Sequence, residues 1–106
     1  MEENNKNENI KDLKVTKVKN MVGNSGKEIA NQFIISGDNY NLFQSYNSPI
    51  ALINYADGRT YIYKDWDYST TTGKYRNIFL HVGIAETRKR IKSGEYELVD
   101  LNKGCN

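Results

Sequence analysis

The stretch WDYSTTTGKYRNIFL, residues 66 to 80, holds the residues whose types and spacing come closest to a functional surface. Four consecutive hydroxyl side chains, residues 69 to 72, lead into Lys74, Tyr75 and Arg76, so two cations flank one aromatic ring. Such a grouping contacts phosphate and stacks on a base, or anchors a protein interface. The residues of this stretch expected to contact a partner are Tyr68, Thr71, Lys74, Tyr75 and Arg76.

A purely structural role for the same stretch is the alternative. Hydroxyl side chains bond readily to nearby backbone, which favours a turn or the first turn of a helix. The aromatic residues would then belong to the core or its rim, and NIFLHV (77 to 82) would enter the core. If the stretch instead binds a partner, Lys74, Tyr75 and Arg76 face outward, and Lys74 and Arg76 can be replaced by Ala without loss of folding.

A second basic cluster follows in GIAETRKRIKSG, residues 83 to 94. Ile84 and Ile91 stand seven residues apart and Gly94 occupies a helix C-cap position, which predicts a short amphipathic helix over residues 83 to 93. Its cations either form a solvated face or attract an anionic partner. The helix residues expected to support binding electrostatically are Arg88, Lys89 and Lys92.

Three other patterns are weak candidates for chemistry. Residues 23 to 27, GNSGK, lack the glycine spacing and the hydroxyl of a phosphate-binding loop and predict a hairpin turn. His81 is the only histidine and has no neighbouring nucleophile or acid, so it is interpreted as structural. Asp65 and Asp67 alone are a weak acid–base or metal signal. We therefore predict a protein that is not an enzyme and needs no cofactor or metal.

Composition restricts the class of protein further. A chain of 106 residues is expected to form one core, and the single Cys105 cannot form an internal disulfide. No stretch approaches the roughly 20 apolar residues of a membrane span, and the polar start MEENNKNENIKDL does not fit a signal peptide. These features predict a protein of a reducing cytoplasm with no membrane partner.

Charge is unevenly distributed along the chain. The formal net charge is +2, and residues 28 to 101 carry eight basic and nine acidic groups. Within them, residues 68 to 92 hold six basic groups and one acidic group. The folded part is not basic enough for nonspecific electrostatic binding of nucleic acid. The segment that begins at the hydroxyl run is nevertheless locally positive.

The elements that position these residues follow from alternation and turn signals. We expect an edge strand within residues 13 to 22 and strands over 29 to 36, 41 to 46, 50 to 55, 60 to 64 and 95 to 101. Turns containing Gly, Asn or Pro separate the first five strands, including an Asp-Gly hairpin signal at 57 and 58. The predicted fold is α+β, with an antiparallel meander of four to six strands and one short helix packed on it.

Domain boundaries follow from composition. Residues 1 to 12 are too polar to offset the entropy of ordering and predict a flexible tail. Residues 13 to 102 are expected to form the single domain, and residues 103 to 106 a flexible C-terminus.

Four stretches of the chain resemble a family of small proteins from phages and mobile elements of Gram-positive bacteria. They are ANQFII (30 to 35), FQSYNSPIA (43 to 51), WDYSTTTGKYRNIFL (66 to 80) and IKSGEYELVDLN (91 to 102). The resemblance implies a phage-encoded or element-encoded protein that works in a bacterial host cytoplasm, and it brings no known activity.

Two functions are compatible with these observations. The first is a non-enzymatic binding protein that inhibits a host defence complex, of which a CRISPR effector ribonucleoprotein is the leading candidate. The second is a nucleic-acid-binding accessory protein of phage replication or transcription. An enzyme is a third alternative and would require His81 close to Asp65 or Asp67.

Overall fold

The computed structural model describes residues 14–99. They form one six-stranded sheet and two helices. In chain order the elements are β1 (Lys17–Val22), β2 (Glu28–Ser36), β3 (Tyr40–Ser45), β4 (Ser48–Asn54), β5 (Arg59–Tyr63), α1 (Thr70–Leu80), α2 (Ile84–Ser93) and β6 (Tyr96–Val99). The predicted α+β class is confirmed. The predicted tails at 1 to 12 and 103 to 106 lie outside the described residues.

The sheet is a meander with one added parallel strand. Strands β1 to β5 pair in chain order and antiparallel, and β6 pairs with β5 in parallel, with Ile62 opposite Leu98. A parallel pair requires a crossover connection, and both helices lie within this one. Within residues 14–99 the helix count is therefore two, because the hydroxyl-rich stretch forms α1 in addition to the predicted α2. Within the described part, neither helix is long and apolar enough to cross a membrane.

Turn residues set the hairpins as the sequence indicates. Between β1 and β2, the Gly23 amide donates to the carbonyl of Lys27 at 2.9 Å, and Gly26 has a φ of 86°, which glycine adopts without steric cost. The interpretation of residues 23 to 27 as a turn is confirmed. This hairpin places Lys17 and Lys19 opposite Ser36 and Ile34 on β2.

One face of the sheet forms the main core with the helices. Phe43 of β3, Ala51 of β4 and Ile62 of β5 are fully buried there. Helix α1 packs over β3 and β4, where the Phe43 and Phe79 rings lie 5.8 Å apart between centroids. Burying aromatic and branched side chains in this way is the main favourable contribution to folding.

The opposite face buries tyrosine rings. Tyr40, Tyr61 and Tyr63 pack around Leu52. The Tyr61 hydroxyl donates to a carboxylate oxygen of Asp57, and the Tyr40 hydroxyl donates to the carbonyl of Lys14 at 3.1 Å. Burial raises the pKa of Tyr40, and burial together with the Asp57 carboxylate raises that of Tyr61.

Tyr63 makes the stability of the domain depend on pH in the alkaline range. Burial raises the pKa of Tyr63 from its ordinary 10.0 to about 12. The unfolded chain ionises this phenol first, so the free energy of unfolding is expected to fall as the pH rises from about 10 to about 12, and to be insensitive to this group below that range. Urea unfolding at several alkaline pH values measures the slope. Tyr63→Phe should make the slope shallower, and an unchanged slope in this variant would contradict the assignment.

Candidate functional site

Helix α1 begins in the hydroxyl run. Ser69 is its N-cap, and the Ser69 hydroxyl oxygen accepts from the backbone N–H of Thr72 at 3.1 Å. The Thr72 hydroxyl lies 3.0 Å from that of Ser69 and 2.9 Å from that of Ser45 on β3. Ser69 and Thr72 therefore fasten the first turn of α1 to the sheet, whereas Thr70 and Thr71 are exposed. The prediction that the run starts a helical turn is confirmed.

Arg76 lies inside the protein rather than on its surface. Its residual exposure is 1%, which is exceptional for a cation. The guanidinium donates from Nη1 to the carbonyl of Trp66 at 2.8 Å and from Nη2 to Oδ1 of Asn77 at 2.9 Å. Burial lowers the pKa of Arg76, and the nearby Asp67 carboxylate acts in the opposite direction.

Two guanidinium groups lie close to the Trp66 ring. The Cζ atoms of Arg76 and Arg88 lie 5.1 and 5.7 Å from the Trp66 ring centroid. Asp67 accepts from Arg88 at 2.8 Å and lies 3.8 Å from the nearest guanidinium nitrogen of Arg76. Cation–π contact and charge pairing thus join the β5–α1 connection to both helices. We call these four residues, Trp66, Asp67, Arg76 and Arg88, the arginine–tryptophan cluster.

The predicted outward arrangement of three consecutive side chains is correct for only one of them. Tyr75 retains 9% exposure within the main core and Arg76 retains 1%, so the expectation that both face outward is wrong. Lys74 is exposed, and its Nζ lies 5.4 Å from the Tyr75 ring centroid. The helical period explains the error, since positions 72, 75, 76 and 79 point to the sheet while 70, 74 and 78 point away.

A shallow groove of about 640 Å³ lies beside the first turns of α1. Tyr68 and Lys74 line it, and so does Ile84 at the start of α2. The Tyr68 side chain is 51% exposed. Arg76 and Asp67 of the arginine–tryptophan cluster lie along its wall. We call this groove, together with the exposed side chains of Tyr68, Thr70 and Lys74, the α1 surface.

The cations of α2 differ in how freely they can attract a partner. Arg88 is held by Asp67, and Arg90 pairs with Glu86 at 2.7 Å. Lys89 and Lys92 are exposed and have no ion-pair partner among residues 14 to 99. Lys92 lies one turn after Arg88, on the same side of α2. Lys89 lies about 100° around the helix axis from Arg88. Thr71 of α1 is exposed and does not line the groove.

His81 and the two aspartates, Asp65 and Asp67, have separate surroundings. His81 is the C-cap of α1, with a φ of 64°, and its side chain is exposed. Asp65 pairs with Lys64 at 3.6 Å, and Asp67 belongs to the arginine–tryptophan cluster. Ending α1 is a structural role, in agreement with the interpretation of His81 as structural. Within residues 14 to 99, no group of three or more His, Cys, Asp or Glu could hold a metal ion.

Tyr46 is a candidate that the sequence did not reveal. It is the first residue of the two-residue loop between β3 and β4, has a φ of 55°, and is 48% exposed. A bulky residue with positive φ is an outlier, and such strain collects at functional positions. Its neighbour Ser45 contacts Thr72, so the loop lies beside the first turn of α1. A two-residue hairpin loop is usually recognised in a sequence by Asn-Gly or by Gly, and Tyr gives no such signal.

Tyr46→Gly is expected to raise the free energy of unfolding by about 1 kcal/mol, because glycine adopts positive φ without the Cβ clash. Chemical unfolding monitored by circular dichroism measures the change. Asn31→Gly, at a φ of 65°, is the matched control and should gain less, because Asn already tolerates this conformation. A loss of stability in Tyr46→Gly would show that the ring contributes more to packing than the backbone loses in strain.

Comparison with known proteins identifies the family. No curated protein and no solved structure matches the chain. A family model described as a family of unknown function, DUF8033, matches residues 16–96, from the start of the sheet to the start of β6. The match includes both helices, the arginine–tryptophan cluster and the α1 surface. Since it spans most of the chain, the protein belongs to this family of unknown function, DUF8033.

Proposed function

We propose that this protein is a non-enzymatic binding protein that inhibits a host defence complex in a bacterial cytoplasm, with a CRISPR effector as the leading target. The observation that carries the proposal is the α1 surface, where an exposed Tyr68 and Lys74 flank a groove built on the arginine–tryptophan cluster. The phage setting, and with it the class of target, rests on the resemblance of the four stretches given above.

The rigidity of the groove wall supports a binding role. Two helices and the β5–α1 connection are held to one another by Trp66 and Asp67, so little order has to be gained when a partner docks. Tyrosine is enriched among the residues that dominate interface energies, and it offers a large contact area at low entropic cost. Tyr68 is therefore the expected anchor, with Lys74 adding charge at its side.

Charge favours a protein surface as the principal contact. Of the six cations in residues 68 to 92, three arginines are paired with carboxylates, namely Arg76, Arg88 and Arg90. Pairing reduces the field that these groups present to a phosphate backbone. An aromatic anchor beside a single free lysine is more typical of a protein interface.

The experiment that tests the proposal is affinity purification of the tagged protein from infected host cells, followed by reconstitution with the recovered complex. We expect a defence ribonucleoprotein to co-purify in a stoichiometric complex that survives nuclease treatment. Purified protein that forms no complex with CRISPR effectors and does not protect phage from interference would overturn the proposal.

A nucleic-acid-binding accessory protein of phage replication or transcription is the second candidate. The observation in its favour is that Lys74, Lys89 and Lys92 are exposed and lack ion-pair partners within the described residues. Each lysine that neutralises a phosphate releases counterions, so binding would weaken steeply with salt. A fluorescence titration of single-stranded and duplex DNA and RNA across salt concentrations separates the two, because the protein-binding proposal requires no such dependence.

A further inference from the structure

A second groove, of about 350 Å³, lies at the other end of α1. Ile34 of β2 and Ile53 of β4 contribute from the sheet, and Phe79 contributes from the helix. Ile78, which the sequence placed in the core, is 48% exposed at its edge. An isoleucine half exposed beside other apolar side chains indicates a contact surface rather than a packed core.

The groove opens toward a part of the sheet that no described helix covers. Helix α1 packs over β3 and β4, and α2 lies beside β6. Strands are about 4.8 Å apart and a helix is about 10 Å across, so one helix covers about two strands. The same face of β1 and β2 therefore has room for one more helix, alongside α1.

The side chains on this uncovered area combine apolar and basic character. Ile34, which is partly buried, and the exposed Ile78 provide the apolar part, whereas Met21 beside them is buried in the main core. Lys17 and Lys19 lie on the same face, because they pair with Ser36 and Ile34 of β2, and both are exposed. Neither lysine has an ion-pair partner in the described part of the chain, and no acidic side chain lines the groove there.

A second copy of this chain fits the area poorly. Among the strands of residues 14–99, β1 is the outermost on its side of the sheet, and two copies joined through it would set Lys17 and Lys19 of one copy near the same lysines of the other. Like charges at such an edge oppose pairing. A partner with carboxylates meets no such repulsion.

We propose that the area formed by β1, β2 and the C-terminal end of α1 is a docking site for an amphipathic helix of a partner protein with an acidic flank. The apolar stripe of that helix packs on Ile34 and Ile78, and its carboxylates face Lys17 and Lys19. This is the helix-in-groove mode of peptide recognition. The site is separate from the α1 surface, and it does not depend on the identity of the target proposed above.

The test uses two synthetic helical peptides of about four turns with leucines three and four residues apart. One carries Glu along the flanks of the leucine stripe and the other carries Lys at the same positions. Methyl NMR titration of the whole protein is expected to shift Ile34 and Ile78 with the Glu peptide, which should bind about fivefold more tightly than the Lys peptide at low salt.

Reversing the charge of the two lysines tests whether they recognise the flank of the peptide. The double variant Lys17→Glu, Lys19→Glu alters only exposed side chains and should reverse the preference, so that the Lys peptide binds more tightly. Ile78→Ser should weaken both peptides. Equal binding of the two peptides, an unchanged preference in the double variant, or a dimer in sedimentation that Ile78→Ser dissociates would overturn the proposal.

Discussion

Replacing Arg76 by Ala is expected to lower the free energy of unfolding by about 3 kcal/mol, because breaking a buried charged network leaves its remaining partners unpaired. The carbonyl of Trp66 and the amide oxygen of Asn77 would lose their donor, and a cavity would open beneath the Trp66 ring. Urea unfolding followed by circular dichroism measures the loss.

Two variants serve as controls for this prediction. Lys74→Ala, two residues away on the exposed side of α1, should change stability by less than about 0.5 kcal/mol. Arg76→Lys keeps the charge but cannot donate in two directions from a planar group, and it should fall between the two. If Arg76→Ala proves as stable as Lys74→Ala, the buried network contributes nothing to folding and the description of the groove wall is wrong.

The double variant Tyr68→Ala, Lys74→Glu is expected to weaken binding of the recovered partner about 100-fold, since removing two interface anchors of roughly 1 to 2 kcal/mol each has this effect. Both side chains are exposed, so the unfolding midpoint should not change. Isothermal titration or surface plasmon resonance with the purified partner measures the affinity.

Tyr55→Ala is the matched control for Tyr68. Tyr55 is 60% exposed and lines the second groove, near the C-terminal end of α1. Its replacement should leave binding through the α1 surface within about twofold, as expected for a residue outside the interface. If Tyr55→Ala weakens binding as strongly as the Tyr68 and Lys74 double variant, the α1 surface is not the principal contact.

The strands could be predicted because their signals are local. Alternation and turn residues such as Asp57-Gly58 define β1 to β5 closely, and spacing of Ile84 and Ile91 defines α2. The direction of β6 could not be predicted, because it depends on the length of the whole crossover. Helix α1 was hidden by its composition, since Thr and Gly are poor helix formers and only tertiary packing on β3 and β4 stabilises the helix.

The exposure of the candidate residues could be predicted in part, for an equally physical reason. The sequence predicted accessible side chains at Tyr68, Thr71 and Lys74, and all three are exposed. It could not show that Arg76 is buried, because a cation is buried only when partners distant from its own turn satisfy it. Here those partners come from the β5–α1 connection. Once α1 is recognised, its helical period alone separates Lys74 from Tyr75 and Arg76.

The most direct measurement of the central proposal is the plaquing efficiency of a targeted phage on a host that has active CRISPR immunity and expresses this protein. The unchanged protein is expected to restore plaquing. The Tyr68→Ala, Lys74→Glu variant, expressed to the same level, is expected to leave immunity intact. Failure of the unchanged protein to restore plaquing would contradict inhibition of a CRISPR effector, and full restoration by the variant would contradict the role of the α1 surface.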